Sequence, residues 1–168
     1  TGAIMNPKIV SWPHPCLKAK AKHVPEATSE ILQLWQYMIS VMEGMPGVGL
    51  AAPQLGIGLS LAVVDASLER DQVIRMANPE VLHVSQKMEV GEEASPNLAY
   101  VSSEIKRPRG ITVRYLNEFG EIQEKDLVGL WARSTLHQID HLNGCMYFDN
   151  LSKLKKKMLI KKAQKLCA

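Results

Sequence analysis

Apolar residues recur at helical spacing in one early segment of the chain. Thr28 or Ser29 can cap a helix there, and Glu30 falls in its first turn, where a carboxylate interacts favourably with the free N–H groups. The apolar residues that follow three or four apart are Ile31, Leu34, Trp35, Met38, Met42 and Met45. This spacing predicts a helix with one buried face, which Gly44 and Pro46 bring to an end.

Shorter apolar and β-branched runs follow this helix and are typical of strands. These runs lie at 59–65, 76–84 and 105–116. The N-E-F-G sequence at 117–120 has the composition of a hairpin turn, so residues 121–127 are expected to return as a partner strand. Before the first helix, residues 6–25 contain four prolines and predict an extended, turn-rich lead-in.

Helical spacing returns in the last third of the chain. From Leu127 onward, a mostly buried helix ending at Gly144 is indicated by Leu130, Trp131, Leu136 and Leu142. A final helix is expected over 152–166, with lysines on most of its surface and an apolar side formed by Leu154, Met158 and Leu166. No internal repeat or linker interrupts the chain, so the pattern predicts a single α+β domain over residues 1–168.

The composition is that of a globular protein. The chain has 168 residues, of which 46% are apolar, so it can bury a core without disulfides. Its three cysteines are scattered and odd in number, which disfavours a disulfide framework and indicates a reducing compartment. No apolar run approaches the roughly 18 residues that span a bilayer, and no signal peptide is visible, so no membrane association is expected.

The charge is distributed unevenly. The net charge is +3, but residues 151–168 contain seven lysines and no acidic residue, which leaves 13 basic and 17 acidic residues in the rest of the chain. Such a lysine run is usually the solvated face of a helix. The alternative is an electrostatic contact with RNA phosphates, and the absence of aromatic residues in this tail disfavours sequence-specific recognition.

Residues 137–141 read H-Q-I-D-H. Residues four apart project from one face of a helix, so His137 and His141 can grip one divalent metal ion. Metallohydrolases with this spacing normally have Glu after the first histidine, where it acts as general base. Gln138 cannot accept and return a proton. The alternative is a chance pair of histidines, but a largely apolar helix would then bury two imidazoles at a cost.

A second motif, G-V-G-L-A-A-P-Q, occupies residues 47–54. Small residues in succession allow the backbone to approach a ligand or another element closely. Gln54 at its end can present an amide to a polarised carbonyl oxygen. Taken alone, the motif is better explained by a tight turn into a strand.

Together the two motifs make the chain resemble the peptide deformylases, metal-dependent hydrolases that remove the formyl group from the N-terminal methionine of nascent chains. Residues 47–54 match the family's G-x-G-L-A-A-P-Q, and residues 137–141 match its H-E-x-D-H except at Gln138. The P-H-P-C-L at 13–17 and the H-L-N-G at 141–144 also fit, and the resemblance covers about residues 7–152. It implies small antiparallel sheets around a central helix that carries the metal motif, followed by a C-terminal helix.

The middle motif of this family, E-G-C-L-S, aligns with E-A-S-P-N at residues 93–97. Arg107 supports this register, because it falls where the family places an arginine that pairs with the motif's glutamate, here Glu93. Ser95 then occupies the position of the cysteine whose thiolate is the family's third metal ligand.

The resemblance assigns roles by position. The metal ligands would be His137, His141 and Ser95, the base position is Gln138, and the oxyanion donor, aided by a backbone N–H, is Gln54. The implied substrate pocket consists of Gly47, Val48, Gly49, Leu50 and Pro96. Asp140 is expected to orient a histidine ring, and Glu93 to pair with Arg107. The expected cofactor is Fe²⁺ or Zn²⁺.

Two of these positions carry the wrong chemistry for efficient hydrolysis. A serine hydroxyl stays protonated near neutrality, so Ser95 offers a metal only a weak, neutral oxygen. Gln138 removes the proton carrier, a group worth about 10²–10⁴-fold in rate. We therefore expect an inactive or strongly impaired member with weak or absent metal binding. Glu92 is a possible substitute ligand or base.

The sequence is also consistent with two other functions. The chain could be an active metallohydrolase with an unusual ligand set, or a ribosome- or RNA-associated protein with a vestigial site. An engineered replacement of Glu by Gln at position 138 is a less simple explanation than natural divergence, because it would not account for the serine at position 95. The expected partner is an N-terminal methionine peptide or nascent chain, with ribosome contact possible through the lysine-rich helix. The expected location is the cytoplasm, or a mitochondrion or plastid if a transit peptide has been removed.

Overall fold

The computed structural model describes residues 7–167 and contains both helices and antiparallel strands. The predicted α+β class is therefore confirmed. The helices are α1 (Pro15–Lys18), α2 (Ser29–Glu43), α3 (Leu130–Leu142) and α4 (Lys153–Cys167), and short 3₁₀ turns lie at Ala52–Leu55 and Tyr147–Asn150. The strands are β1 (Gly49–Ala51), β2 (Leu61–Val64), β3 (Ile74–Val84), β4 (Met88–Ser95), β5 (Leu98–Pro108), β6 (Gly110–Leu116) and β7 (Ile122–Val128).

Helix α2 forms as its sequence predicts. The Thr28 hydroxyl oxygen accepts the N–H of Ile31 at 3.3 Å and so satisfies one free donor of the first turn. The buried stripe consists of Leu34, Trp35, Met38, Ile39 and Met42. The indole N–H of Trp35 donates to the carbonyl oxygen of Met76 at 3.3 Å, which fixes the helix to β3. Gly44 ends the helix, as expected.

A five-stranded antiparallel sheet has the order β1-β2-β3-β6-β7, and β1 is an edge strand. The predicted runs at 59–65 and 76–84 contain β2 and most of β3. The predicted turn at 117–120 joins β6 to β7, and the Asn117 side-chain oxygen accepts the N–H groups of Phe119 and Glu121, each at 2.9 Å. Edge strand β1 contains the middle of the glycine motif, from Gly49 to Ala51, and packs against α3.

The run at 105–116, predicted to form strand, is divided between two strands. The chain leaves β5 at Pro108 and enters β6 at Gly110, and these two strands belong to different sheets. Strand β5 pairs with β4 in a separate two-stranded hairpin, from Met88 opposite Pro108 to Ser95 opposite Leu98. The β4 strand was not predicted, because its glycine and glutamates have low strand propensity. Ser95, which aligns with the family's cysteine, is the last residue of β4 before the hairpin's turn.

Helix α3 exposes some of the residues that its apolar pattern predicts to be buried. Leu130 is 52% exposed, Trp131 and Leu136 are half-buried, and only Leu142 of the predicted set is buried. The buried face is mainly polar and is formed by Ala132, Ser134, Thr135, His137, Gln138, His141 and Leu142. The helix thus presents polar groups to the interior, which is a sign of a functional site.

The chain turns sharply after α3. The helix ends at Leu142 rather than at the predicted Gly144, whose φ of 76° lies in the left-handed region. A Cβ at this glycine would lie 2.7 Å from the carbonyl oxygen of Lys18. Gly144 therefore allows the lead-in segment to pack directly on the end of α3.

Helix α4 agrees with the predicted final helix within one residue at each end. It packs against β5 and the preceding turn through Leu159, Ile160 and buried Ala163. The predicted apolar side faces outward instead, because Leu154, Met158 and Leu166 are all exposed. No helix within residues 7–167 is long and apolar enough to cross a membrane.

Candidate functional site

A cavity of about 500 Å³ lies where three separate segments of the chain meet. Its walls come from the loop and edge strand at 45–54, the tip of the β4–β5 hairpin at 92–101, and the first turns of α3 at 130–138. Nine of the sequence-predicted site residues line it, namely Gly47, Val48, Gly49, Gln54, Glu93, Ser95, Pro96, His137 and Gln138. His141 lies behind this wall and is completely buried, and Leu50 belongs to the hydrophobic core.

The two histidines of α3 face one another. Their Nε2 atoms are 3.2 Å apart, as the i, i+4 spacing on one helical face allows. The His137 ring stacks on Tyr147, with centroids 5.9 Å apart. Burial, together with the charges of His137 and Arg107, holds the pKa of His141 well below its ordinary value. His141 is therefore neutral at physiological pH.

Glu93 accepts four hydrogen bonds in a buried position. Arg107 donates from Nε at 2.6 Å and from Nη2 at 2.8 Å, Arg133 donates from Nη1 at 2.6 Å, and His137 Nδ1 lies 2.8 Å from Oε1. Burial alone would raise the pKa of Glu93, but the hydrogen bonds from Arg107 and His137 outweigh it and lower the pKa to about 2. The carboxylate is therefore ionised.

The Glu93 carboxylate determines the proton positions of both imidazoles. A proton on His137 Nδ1 satisfies the contact with Glu93, and in the neutral ring this tautomer leaves a lone pair on His137 Nε2. The hydrogen between the two rings then belongs to His141 Nε2. His141 Nδ1 is left as a buried atom without a hydrogen-bond partner in the described part of the chain.

Arg133 is a site residue that the sequence motifs do not predict. Besides Glu93, its guanidinium donates to the carbonyl oxygens of Ile105 at 2.9 Å and Glu89 at 2.8 Å, so it ties α3 to the β4–β5 hairpin. Gly91 makes room for it, because a Cβ there would lie 2.8 Å from the guanidinium carbon. The available signal was its position four residues before His137, on the same helical face.

The contacts of Asp140 differ from those predicted. It is predicted to orient a histidine ring, but its carboxylate accepts from Arg107 at 2.9 Å and from Asn150 at 3.3 Å. The residue that orients His137 is Glu93, which reaches the ring from the neighbouring hairpin. Asp140 points sideways from α3 toward Arg107 and acts on the site through that side chain.

Asn97, which the motifs also do not predict as a site residue, organises the opposite wall. Its side-chain oxygen accepts from Gln54 Nε2 at 2.8 Å and from the Ser95 hydroxyl at 2.9 Å. Its amide group donates to the carbonyl oxygen of Val10 at 2.7 Å. Gln54 Oε1 accepts the N–H of Ala51 at 2.9 Å, so the Gln54 amide is held at both ends. Its second N–H points to Ser95, 3.5 Å away.

Gln138 is a buried polar residue of the cavity wall. It is only 4% exposed, and its Oε1 atom has no hydrogen-bond partner among residues 7–167. It packs directly on Gly49, where a Cβ would lie 2.6 Å from Gln138 Nε2. Across the cavity, Pro96 has no backbone N–H, so the residue next to Ser95 cannot donate to an oxyanion.

The family model for polypeptide deformylase matches residues 6–157. The chain belongs to the polypeptide deformylase family. It is 35% identical to the peptide deformylase of Agrobacterium fabrum over 159 residues, covering 94% of each chain, and 37% identical to that of Bartonella bacilliformis over 166 residues, covering 94% of this chain and 91% of the relative. The expected family membership is thereby confirmed.

Solved deformylase structures share the fold. A peptide deformylase from Legionella pneumophila superposes with a TM-score of 0.89 at 33% identity, covering 96% of this chain and 95% of that one. The enzyme from Thermotoga maritima gives a TM-score of 0.82 at 34% identity, covering 89% and 99%. The expected deformylase fold, with small antiparallel sheets and a C-terminal helix, is confirmed as well.

The residues of this deformylase-family site fit a metal ion only in part. A separation of 3.2 Å between two imidazole nitrogens suits bonds of about 2.0–2.1 Å to one tetrahedral ion. The third position does not fit, because Ser95 offers a protonated hydroxyl that is already hydrogen-bonded to Asn97. No group of three or more His, Cys, Asp or Glu side chains suited to a metal ion occurs in the described region.

Proposed function

We propose that this protein is a deformylase-family member that binds methionine-led peptide N-termini in the cavity. It hydrolyses the formyl amide bond of such peptides very poorly. The observation that carries the proposal is the pair of neutral side chains, Ser95 and Gln138, in a cavity that retains His137 and Gln54 and has His141 directly behind its wall. In the roles we propose, Gln54 contacts the acyl oxygen, and Gly47, Val48 and Gly49 contact the peptide.

Charge balance supports a site without a dication. The buried cluster beneath the cavity contains the carboxylates of Glu93 and Asp140 and the guanidinium groups of Arg107 and Arg133, which cancel. In the family, a thiolate and a glutamate would bring the negative charge that a dication requires. Here the two positions are occupied by neutral Ser95 and Gln138. Fe²⁺ or Zn²⁺ would therefore place two uncompensated positive charges beside two arginines. We therefore propose weak or absent metal binding.

Proton transfer lacks a carrier. Gln138 cannot take up a proton, and Glu93 is committed to four donors. Glu92, considered as a substitute, is exposed at the cavity edge, and its carboxylate accepts the Ser102 hydroxyl at 2.6 Å. The loss of a general acid–base group accounts for about 10²–10⁴-fold in rate.

The competing function is an active metallohydrolase with an unusual ligand set. The names of the relatives and the retained histidine pair favour it. Formate release from formyl-Met-Ala-Ser, measured after incubation with Fe²⁺ or Zn²⁺ under anaerobic conditions, separates the two. We expect metal content well below one ion per chain and very slow release. Stoichiometric metal with rapid turnover would overturn the proposal.

The lysine-rich α4 gives a separate proposal about partners. Its lysines, exposed except for half-buried Lys156, can contact ribosomal RNA phosphates, and such binding weakens as salt rises. Replacing Lys161, Lys162 and Lys165 by glutamine should reduce salt-sensitive co-sedimentation with ribosomes, and unchanged co-sedimentation would contradict it. We propose that the protein works where nascent chains carry formyl-methionine, in the cytoplasm or in an organelle.

A further inference from the structure

We propose that Arg70, which lies outside the sequence motifs, is a positioning residue of the site. It fixes the part of the cavity wall formed by residues 45–48 through a hydrogen bond to the carbonyl oxygen of Gly47. This inference rests on the proposed function, because the same wall borders the proposed peptide site. The hydrogen bond, the backbone conformation of Arg70 and the loop that carries it support the assignment.

The wall at residues 45–48 lies between two regular elements, after the end of α2 and before the start of β1. All four of its residues line the cavity. The carbonyl oxygen of Val48 accepts the Ser134 hydroxyl at 3.3 Å, and that of Gly47 accepts Arg70 Nη2 at 2.8 Å. Because a peptide unit is planar, holding the Gly47 oxygen also fixes the direction of the following N–H. Arg70 therefore sets the orientation of this peptide unit.

Arg70 adopts an unfavourable conformation to make this contact. Its φ of 56° lies in the left-handed region, where a Cβ clashes with the backbone and glycine or asparagine is preferred. Its Nε atom is buried and has no hydrogen-bond partner in the described part of the chain, which also costs free energy. A residue held in such a conformation by its surroundings indicates a function for its side chain. The contact with Gly47 supplies that function.

The loop at residues 65–72 holds Arg70 in place. It is closed by buried Asp65, whose Oδ1 accepts the N–H of Ser67 at 3.0 Å and whose Oδ2 accepts the N–H of Gln72 at 3.2 Å. These bonds join the beginning of the loop to its end, on either side of Arg70. The guanidinium group is therefore presented to the wall by a loop with its own internal support.

Replacement of Arg70 by asparagine tests the assignment without straining the loop. Asparagine tolerates the left-handed region, but its side chain is too short to reach Gly47. Glu69→Asn, at the exposed neighbouring position, is the matched control. A residue with a purely structural role would lower the melting temperature when replaced. For a positioning residue in a strained conformation, we expect Arg70→Asn to melt within about 2 °C of the natural chain.

Hydrogen exchange of the full-length protein, followed by mass spectrometry, measures the order of the wall directly. We expect the amides of residues 45–49 to exchange at least about tenfold faster in Arg70→Asn, with the rates in β2 and β3 unchanged. Glu69→Asn should exchange like the natural chain. Unchanged exchange at 45–49 would overturn the inference. Faster exchange throughout the sheet with a lowered melting temperature would do so too, because it would show a structural role.

Peptide affinity measures the consequence for the site. Calorimetry with formyl-Met-Ala-Ser in the presence of a chelator should show binding at least about fivefold weaker for Arg70→Asn than for the natural chain. Glu69→Asn should bind as the natural chain does. Arg70→Lys keeps the charge and one donor, so it should recover part of the affinity. Binding by Arg70→Asn as tight as by the natural chain would overturn the inference.

The exchange measurement separates this inference from the proposed function, because it needs no ligand. Absence of peptide binding to the natural chain would overturn the proposed function, and the exchange rates at 45–49 would still decide the role of Arg70. Rapid formate release by the natural chain would also overturn the proposed function. The KM for the formyl peptide would then replace its dissociation constant, with the same fivefold weakening expected in Arg70→Asn and kcat little changed.

Discussion

His137 Nδ1 lies 2.8 Å from Oε1 of Glu93, although the two residues are on different elements and 44 positions apart in sequence. This contact joins α3 to the β4–β5 hairpin and determines which nitrogen of His137 is protonated. The same carboxylate also holds Arg107 and Arg133. Glu93 is thus the centre of the polar cluster on which the cavity is built.

Removing the Glu93 charge should destabilise the protein strongly. Glu93→Gln removes the carboxylate that Arg107 and Arg133 share and leaves Arg107 with Asp140 alone, and breaking a buried pair in this way costs about 3–5 kcal/mol. Urea unfolding measures the effect, with Glu104→Gln on the exposed face of β5 as the matched control. A loss in Glu93→Gln no larger than in the control would contradict this assignment.

The contribution of Glu93 should depend on pH. Its folded-state pKa of about 2 lies below the ordinary value of 4.5, so the unfolded chain takes up the proton first as pH falls. The stabilisation is full above pH 4.5 and is lost as pH falls from there toward 2. The stability difference between the natural chain and Glu93→Gln should therefore shrink over this range. A difference that is constant across it would show that the charge is not responsible.

Gly49 should be intolerant of a side chain. A Cβ at this position would collide with the Ser134 hydroxyl and with Gln138 Nε2, so Gly49→Ala must push both side chains away from β1. We expect a stability loss of about 1–3 kcal/mol and loss of peptide binding. Gly47→Ala is the matched control for stability, because a Cβ at that glycine would meet nothing within 4 Å. Equal melting temperatures for the two variants would refute the close packing.

Gly144 should be equally restricted, for a different reason. Its φ of 76° disfavours any side chain, and a Cβ would approach the Lys18 carbonyl oxygen at 2.7 Å. Gly144→Ala should therefore loosen the lead-in from α3 and lower stability by more than about 1 kcal/mol. Gly58→Ala, with open space around it, should have little effect. Thermal melting of the two variants provides the comparison.

The regular elements could be predicted wherever local pattern and tertiary burial agree. Helix α2 is the clearest case, because its cap, its stripe and its final glycine all act locally. The β4 strand could not be predicted, since its glutamates and glycine serve the site rather than the sheet. The division between β5 and β6 depends on which partner each strand finds, which the sequence around Pro108 does not reveal.

Many of the site's residues could be predicted from the sequence, but the hydrogen bonds that connect them could not. The resemblance located the histidines, Gln54 and Ser95, which lie around one cavity or directly behind it. The roles of Asn97 and Arg133 could not be predicted from the sequence, because both residues act through hydrogen bonds to distant segments of the chain. Asp140 was predicted to orient a histidine ring, but Glu93 makes that contact with His137. Proximity in sequence does not show which carboxylate reaches a ring across a tertiary interface.

The two substituted positions should act together. Restoring only the carboxylate in Gln138→Glu supplies a base but leaves the third ligand neutral, so metal content should remain low. Restoring both in Ser95→Cys plus Gln138→Glu supplies two negative charges for a dication. We expect the double variant to retain close to one ion per chain, measured by elemental analysis after gel filtration. Equal metal retention by the natural chain would contradict the charge argument.

Whether Ser95 and Gln138 impair hydrolysis is decided by the rate of formate release from formyl-Met-Ala-Ser. The Fe²⁺-treated natural chain is compared with the Ser95→Cys, Gln138→Glu double variant under the same conditions. A proton carrier and a firmly held metal should raise the rate by at least about 10²-fold. A natural chain that releases formate as fast as the double variant would show that the two substitutions do not impair hydrolysis.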